Sequence, residues 1–165
     1  MKLLKNQRIT IFVDVQNMFY SAKNIYHAKL DFGKLLENII KDRQLIRAIA
    51  YIVQTPEIDQ TAFINILRHI GFEVKSKTLK QRPDGSAKGD WDMGLAIDAI
   101  SIAAKVDVIA LASGDGDFTD LVYHLKAHGV RVEVHSFLRS TAEELINTAT
   151  EHYQLDENIL MPYKK

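Results

Sequence analysis

The feature that most constrains the fold of this chain is an apolar run from Val106 to Ala112 that ends abruptly in the sequence SGDGD, residues 113–117. The run has the length and the β-branched content of a strand that is buried on both faces. Two glycines after it allow a tight turn, and this turn carries Asp115 and Asp117. Because open α/β sheets place their chemistry at the carboxyl ends of parallel strands, we expect a functional site at this turn.

An earlier segment of the chain has the same form. Residues 9–13, ITIFV, are apolar and β-prone, and they lead into Asp14, with Asn17 three residues further on. The two aspartates can share a site only if the first and fourth strands are neighbours in the sheet. The strand order 3-2-1-4-5 meets this condition and places the switch point of the sheet between them.

Strand and helix patterns alternate along the whole sequence, which predicts right-handed βαβ units and a parallel sheet covered on both faces. The five predicted strands are residues 9–14, 45–53, 72–79, 106–112 and 130–136. The predicted helices are residues 16–28, 32–41, 55–70, 90–105, 118–128 and 141–153. Their expected apolar stripes include Phe19, Ile66 and, in the fourth helix, Met93, Ala96, Ile97 and Ile100.

The composition is that of one globular domain, which we expect to span residues 1–165. No apolar run approaches the ~18–20 residues that a membrane span needs. The chain has no cysteine, and its first residues lack the apolar core of a signal peptide, so we expect a cytoplasmic protein. With 21 basic and 21 acidic residues the chain has no net charge that would attract nucleic acid over its whole surface. A local basic patch could still bind a few phosphates.

The candidate site is a set of four aspartates: Asp14, Asp92, Asp115 and Asp117. Mg²⁺ and Mn²⁺ prefer carboxylate oxygens and water, and such ions promote phosphodiester cleavage. Each aspartate also has a purely structural interpretation. An aspartate after a strand commonly forms a turn or caps a helix, and Asp92 lies in a first helical turn, where the helix dipole favours its charge.

Other polar residues near these aspartates could support the site. Asn17 could hold a water or a carboxylate, or cap the first helix, and Ser113 could bind a phosphate or brace the turn. The cations of residues 75–88 precede the helix that carries Asp92, where they could hold a nucleic acid backbone. Lysines on an edge strand often serve only to prevent pairing with another chain, and this alternative accounts for Lys75 and Lys77. It accounts less well for the loop residues Lys80, Arg82 and Lys88.

Four segments of the sequence resemble the NYN domain, in particular its LabA-like branch. They are IFVDVQN (residues 11–17), KGDWDMGLAIDA (88–99), ALASGDGDF (110–118) and GVRVEVHSF (129–137). The SGDGDF turn combined with D-x-x-N after the first strand is fairly specific. The likeness extends from about residue 8 to residue 155. Trp91 departs from the pattern, because we expect a smaller residue there; it could present an aromatic surface to a base or simply pack.

This family belongs to the PIN-like nucleases, so the resemblance implies a three-layer α/β/α Rossmann-like sandwich and Mg²⁺- or Mn²⁺-dependent hydrolysis of RNA. Matching motifs assign metal binding and catalysis to Asp14, Asp92, Asp115 and Asp117, with Asn17, Ser113 and Asp98 in supporting positions. From its spacing alone, Asp98 is a solvated position on a polar helix stripe. Lys88 opens the lysine-containing motif of the family.

We therefore expect a ribonuclease whose partner is single-stranded RNA, bound through Lys80, Arg82 and Lys88, with no membrane partner. A homodimer is left open. The competing hypothesis is a non-catalytic module that binds RNA or protein and acts in regulation. A metal-dependent phosphatase fits less well, because Gln16 stands where such an enzyme has its second acid.

Overall fold

The structure is a computed structural model that describes residues 6–85 and 87–162, apart from the side chains of residues 81, 87 and 88. The strands are β1 (Arg8–Asp14), β2 (Gln44–Gln54), β3 (Glu73–Thr78), β4 (Lys80–Gln81), β5 (Ala87–Lys88), β6 (Val108–Ala112), β7 (Arg131–Ser136) and β8 (Glu151–Gln154). The α-helices are α1 (Val15–Tyr26), α2 (Phe32–Ile40), α3 (Thr61–Ile70), α4 (Asp92–Ile102), α5 (Thr119–Ala127) and α6 (Glu143–Thr148). Within these described ranges, every helix is too short or too polar to span a bilayer.

Six of these strands form one parallel sheet in the order β3-β2-β1-β6-β7-β8. The predicted adjacency of the first and fourth long strands is confirmed, because β1 pairs with β6 and Val13 lies opposite Ala112. The predicted order 3-2-1-4-5 is also confirmed, with a sixth strand added beyond the fifth. The segment between β3 and α4, where no strand was predicted, contains the two antiparallel strands β4 and β5.

The sixth strand corrects the predicted last helix, which was expected to continue to Tyr153. Helix α6 ends at Thr148, and β8 pairs with β7 along its whole length. The ring of Tyr153 stacks on His135 of β7 with 4.7 Å between centroids, so a contact between strands that are distant in sequence overrides the local helical pattern. Helix α3 also begins later than expected, at Thr61, whose N–H donates a hydrogen bond of 2.9 Å to Asp59 Oδ1.

The sheet has a hydrophobic core on each face. Ile9, Ile11 and Val13 of β1 pack with the buried residues of α1, α2 and α3 on one face. Phe12 points to the other face, where it packs with residues of α4 and α5. All five residues of β6 are buried, as a strand covered on both faces requires. This burial fixes the direction of β1 and β6 and therefore the position of the turns that follow them.

Helix α4 packs on the sheet through a different stripe from the one expected. Its buried residues are Leu95, Ala99 and Ile102, whereas Met93 is 76% exposed, Ile97 57% and Ile100 45%. The helix is apolar around most of its circumference, so periodicity alone could not select the face that packs. Ile66, also expected to face inward, is 54% exposed, and Phe19 is 37% exposed.

A buried ion-pair network joins Arg43, the residue before β2, to β7. The guanidinium of Arg43 donates two hydrogen bonds, of 2.7 and 3.0 Å, to the carboxylate of Glu133 in β7. Arg131 and His135 contact the same carboxylate at 3.1 Å. Burial raises the pKa of Glu133, but its bonds with His135 and Arg43 outweigh burial and lower this pKa to about 2. Glu133 is therefore ionised in the folded protein and depends on these partners.

Candidate metal centre

A cleft of about 320 Å³ opens at the carboxyl edge of the sheet, where β1 and β6 end. Carboxylates dominate its lining, with contributions from two strand ends and from the start of α4. The acidic residues that line it are Asp14, Asp90, Asp92, Asp115 and Asp117, and the other lining residues are Gln16, Asn17, Tyr51, Val53 and Trp91. We call this cavity the acid cleft.

The structure brings together three of the four aspartates proposed from the sequence as metal ligands. Carboxylate oxygens of Asp14, Asp92 and Asp115 all lie within 4.8 Å of one another. Asp14 ends β1, Asp115 follows β6 by three residues, and Asp92 begins α4. Asp117 is exposed and lines the same cleft, outside this group of three.

Two polar side chains join the turns that carry Asp14 and Asp115. The hydroxyl of Ser113 donates to Asp14 Oδ2 at 3.1 Å and accepts from the backbone N–H of Asp115 at 3.1 Å. Asn17 Oδ1 accepts from the backbone N–H of Gly114 at 2.9 Å. Ser113 is fully buried, so its hydroxyl braces the turn and is not presented to solvent. Asn17 and Ser113 thus fix the two strand ends relative to each other.

The glycines of the SGDGD turn are required for space. The described glycines with positive φ are Gly71, Gly85 and Gly129, so neither Gly114 nor Gly116 is needed for an unusual backbone angle. A Cβ at Gly114 would overlap the backbone carbonyl oxygen of Ser140, and one at Gly116 would lie 2.9 Å from the Cβ of Ala142. The turn therefore packs directly against the segment between β7 and α6.

Trp91 anchors the start of α4 next to Asp92. Its indole N–H donates to the carbonyl of Ile52 at 2.9 Å, and its ring packs edge-on against Tyr51 at 5.4 Å. The ammonium of Lys77 lies 4.1 Å from the ring centroid. Gly94 also lies against the ring, since a Cβ at that position would be 2.7 Å from Trp91 Cε3. The ring is thus packed against protein on these sides, and part of it lines the acid cleft.

The clustering of carboxylates perturbs their protonation. Burial, followed by the negative charges of Asp115, Asp90, Asp14 and Asp117, raises the pKa of Asp92 to about 6. Burial also raises the pKa of Asp14, against the opposing effect of its hydrogen bonds from Asn17 and Ser113. Asp90 Oδ1 accepts from the backbone N–H of Asp92 at 3.1 Å, so its carboxylate is held near the others. A cation bound in the cleft would relieve this repulsion.

Asp98 does not line the acid cleft. Its Oδ2 accepts hydrogen bonds of 2.7 Å from the hydroxyl of Tyr51 and from the ammonium of Lys75. Burial raises the pKa of Asp98, but the bonds from Lys75 and Tyr51 outweigh burial and the net pKa is lowered. Asp98 therefore contacts the cleft only through Tyr51, which lines it.

The basic residues lie beside the cleft. Lys80 and Arg82 line a second, larger groove that shares Asp90, Asp92 and Asp117 with the acid cleft. Lys77, which the sequence suggested as a protector of an edge strand, lines this groove too. The side chain of Lys88 lies outside the described residues.

Sequence reasoning missed several residues of the cleft. Asp90 was not among the proposed ligands, although its position two residues before Asp92 was a usable signal. Tyr51 and Gln16 also line the cleft. Tyr51 stands opposite Asp14 in the pairing of β1 with β2, so its presence follows from strand register, which no local motif encodes.

Comparison with known proteins identifies a family and related proteins. The model of the NYN domain family matches residues 8–156. The low amplitude and bright protein LabA of Synechococcus elongatus is 31% identical over 160 residues, which cover 91% of this chain and 84% of LabA. A crystal structure of a protein of unknown function from Vibrio parahaemolyticus is similar with a TM-score of 0.88 and 38% identity, and the match covers 98% of this chain and 100% of that one.

Proposed function

Because this chain belongs to the NYN domain family, we propose that it is a metal-dependent ribonuclease that hydrolyses RNA phosphodiester bonds in the acid cleft. One observation carries the proposal: oxygens of Asp14, Asp92 and Asp115, from three separate elements, lie within 4.8 Å of one another. Asp14 and Asp115 also accept hydrogen bonds from the backbone N–H groups of Asn17 and Asp117, but capping alone does not require three carboxylates to lie together against their mutual repulsion.

The donor set fits a hard divalent cation, Mg²⁺ or Mn²⁺. All the candidate ligands are carboxylates, which these ions prefer, and the described residues include no histidine in the cleft lining. Asp14, Asp92 and Asp115 would hold the ion, with Asp117 at the exposed side. When bound, such an ion neutralises charge on the phosphate and lowers the pKa of water.

The chain's own residues supply positioning and charge. Ser113 and Asn17 hold the ends of β1 and β6 in a fixed relation, so the separation of Asp14 and Asp115 does not depend on substrate. Trp91 holds the start of α4, and with it Asp92, against β2. Lys80, Arg82 and Lys88 are proposed to bind the phosphates of a single RNA strand on its way to the cleft.

Cleavage of labelled RNA tests this proposal. The parent should cleave with Mn²⁺ or Mg²⁺ and stop in EDTA, and Asp115→Asn should cleave at least about a hundredfold more slowly, as expected when a ligand of a catalytic ion is lost. Glu37→Gln, an exposed position on α2, is the matched control for loss of one negative charge. RNA binding without metal-dependent cleavage by the parent would favour the non-catalytic module instead.

A further inference from the structure

A groove of about 1500 Å³ adjoins the acid cleft, and the two share Asp90, Asp92 and Asp117. Residues of the β3–β5 region line one side of the groove, and α4 and α5 line the other. A ligand bound along the groove can therefore extend directly into the acid cleft and contact its carboxylates. We call this cavity the side groove.

The side of the groove near β3 and β4 is cationic. Lys77, Lys80 and Arg82 line it, and Lys80 and Arg82 are exposed. Lys77 is held by its contact with the Trp91 ring and by a hydrogen bond of 3.2 Å to the carbonyl of Asp90, so one positive charge is fixed close to the acid cleft. Cations in a row that leads to a cleft suit a ligand with repeated negative charges.

The opposite side of the groove is apolar. Met93, Ala96 and Ile100 lie three and four residues apart on α4 and share one face, and Leu121 of α5 completes the surface. Met93 and Ile100 are 76% and 45% exposed, so these side chains form an exposed apolar patch, the kind of surface that marks a binding site. Asp120, at the start of α5, also lines the groove. We call Met93, Ala96, Ile100 and Leu121 the apolar floor.

We propose that the apolar floor binds unpaired nucleobases of the RNA strand next to the bond that is cleaved, while Lys80 and Arg82 contact its phosphates. This inference rests on the proposed ribonuclease function and deepens it by assigning the surface that binds the bases. A single strand offers apolar base faces and phosphates on opposite sides, which matches the two sides of the groove. A duplex hides its base faces in the stack and cannot use the floor.

Trp91 lines the acid cleft and is absent from the lining of the side groove. Single-strand binding proteins commonly stack bases on exposed aromatic rings. Here Lys77 and Gly94 contact the one tryptophan of the chain, and Phe118 is only 2% exposed although it lines the groove. The apolar floor itself is aliphatic, so the bases contact methionine, isoleucine and leucine side chains there, and the exposed imidazole of His124 also lines the groove.

The test compares two labelled strands of about ten nucleotides, one of uridines and one with abasic riboses, at equal phosphate number. Binding is measured by anisotropy in Ca²⁺, with strand integrity checked on a gel. The parent should bind the uridine strand roughly tenfold more tightly than the abasic strand. Met93→Gln combined with Ile100→Gln should abolish this preference and leave affinity for the abasic strand unchanged.

The matched control is Ile97→Gln. Ile97 is 57% exposed on the same helix but does not line the groove, so this variant should keep the preference for bases. Circular dichroism melts confirm that both glutamine variants fold. Equal affinity of the parent for the two strands, or a preference that survives in the double variant, overturns the base site.

The same experiment separates this inference from the proposed function. Metal-dependent cleavage of both strands at equal rates would contradict the base site and support the ribonuclease function. Absence of both cleavage and RNA binding removes both proposals. If the double variant instead abolishes a dimer seen by light scattering and leaves RNA binding intact, the floor is an interface between copies of the chain, and the base site is overturned.

Discussion

Replacing Asp92 with Asn should stabilise the metal-free protein at neutral pH. The pKa of this carboxyl rises from its ordinary 3.8 to about 6 on folding, first through burial and then through Asp115 and the other carboxylates of the cleft. Between these two values the folded protein holds a proton that the unfolded chain has released, so stability falls as the pH rises from about 4 to about 6. Asp92→Asn removes the carboxyl, so the variant should not show this fall in stability as the pH rises.

The magnitude follows from the size of the pKa change. A rise from 3.8 to about 6 corresponds to about 3 kcal/mol, but the carboxyl is only part-buried, and screening by solvent reduces the expected effect to about 1 kcal/mol. The position of Asp92 in the first turn of α4 favours its charge, by up to about 1 kcal/mol for such sites. The raised pKa means that burial and the neighbouring carboxylates outweigh this benefit.

Urea unfolding in EDTA at several pH values between 4 and 7 measures the effect. The two proteins should be equally stable near pH 4, and Asp92→Asn should be about 1 kcal/mol more stable at pH 7. In Mn²⁺ the parent should become the more stable of the two proteins, because a ligand at about 100 times its Kd adds about 2.7 kcal/mol to the free energy of unfolding. The variant, with one ligand fewer, should gain less.

Asp98→Asn is the control on the same helix, with the opposite sign. The pKa of Asp98 is lowered despite burial, because Lys75 and Tyr51 stabilise its charge, so this variant should be less stable than the parent at pH 7 and approach it in acid. Two results would contradict this explanation: Asp92→Asn destabilises the metal-free protein at pH 7, or its stability differs from that of the parent by the same amount at every pH. In either case, repulsion in the cleft does not set the contribution of Asp92 to stability.

Three further predictions concern the turn, the buried ion pair and the basic residues. Gly114→Ala should lower the free energy of unfolding by about 2 kcal/mol in urea melts, since its Cβ would overlap the carbonyl of Ser140; unchanged stability would contradict that close approach. Glu133→Gln should cost about 3 kcal/mol at pH 7 because it leaves Arg43 buried without its carboxylate. That cost should shrink as the pH falls from 4.5 towards about 2, where the parent's own Glu133 protonates, and a cost that stays constant in acid would refute the ion-pair explanation. Replacing Lys80, Arg82 and Lys88 together with Ala should reduce the slope of log affinity against log salt by about 2, and an unchanged slope would show that they do not contact phosphates.

The parts of the fold that were predictable are those encoded in short, strongly apolar segments. β1 and β6 are continuous apolar runs that end in polar turns, and the alternation of strands with helices leaves few topologies. β8 could not be predicted in this way. Its sequence, EHYQ, has no apolar run, and it forms a strand through pairing with β7 and the contact of Tyr153 with His135.

The orientation of α4 shows a second limit. Met93, Ile97 and Ile100 form as good an apolar stripe as Leu95, Ala99 and Ile102, and only packing against the sheet selects the second set. For the same reason, an exposed apolar surface beside the acid cleft could not be foreseen. A helix that is apolar all round carries no sequence signal for which face stays exposed.

The candidate site was predictable where it follows strand ends. Asp14 and Asp115 could be placed together because parallel strands present their carboxyl ends at one edge. The roles of Asn17 and Ser113 could not be chosen from the sequence, because each residue type suits several hydrogen bonds. The structure gives both residues partners in the opposite turn or strand end. Tyr51 enters the cleft through strand register alone.

The most direct test of the proposed metal-dependent ribonuclease uses an RNA strand with one deoxyribose at a mapped cleavage position. Attack by water at a metal centre does not need the 2′-hydroxyl, whereas attack by that hydroxyl does. We predict that the parent cleaves the substituted position in Mn²⁺ at a rate similar to that of the all-RNA strand, and that EDTA or Asp115→Asn abolishes cleavage of both. Loss of cleavage at the deoxyribose together with a 2′,3′-cyclic phosphate on the all-RNA product, or cleavage that persists in EDTA, would contradict hydrolysis at the aspartates of the acid cleft.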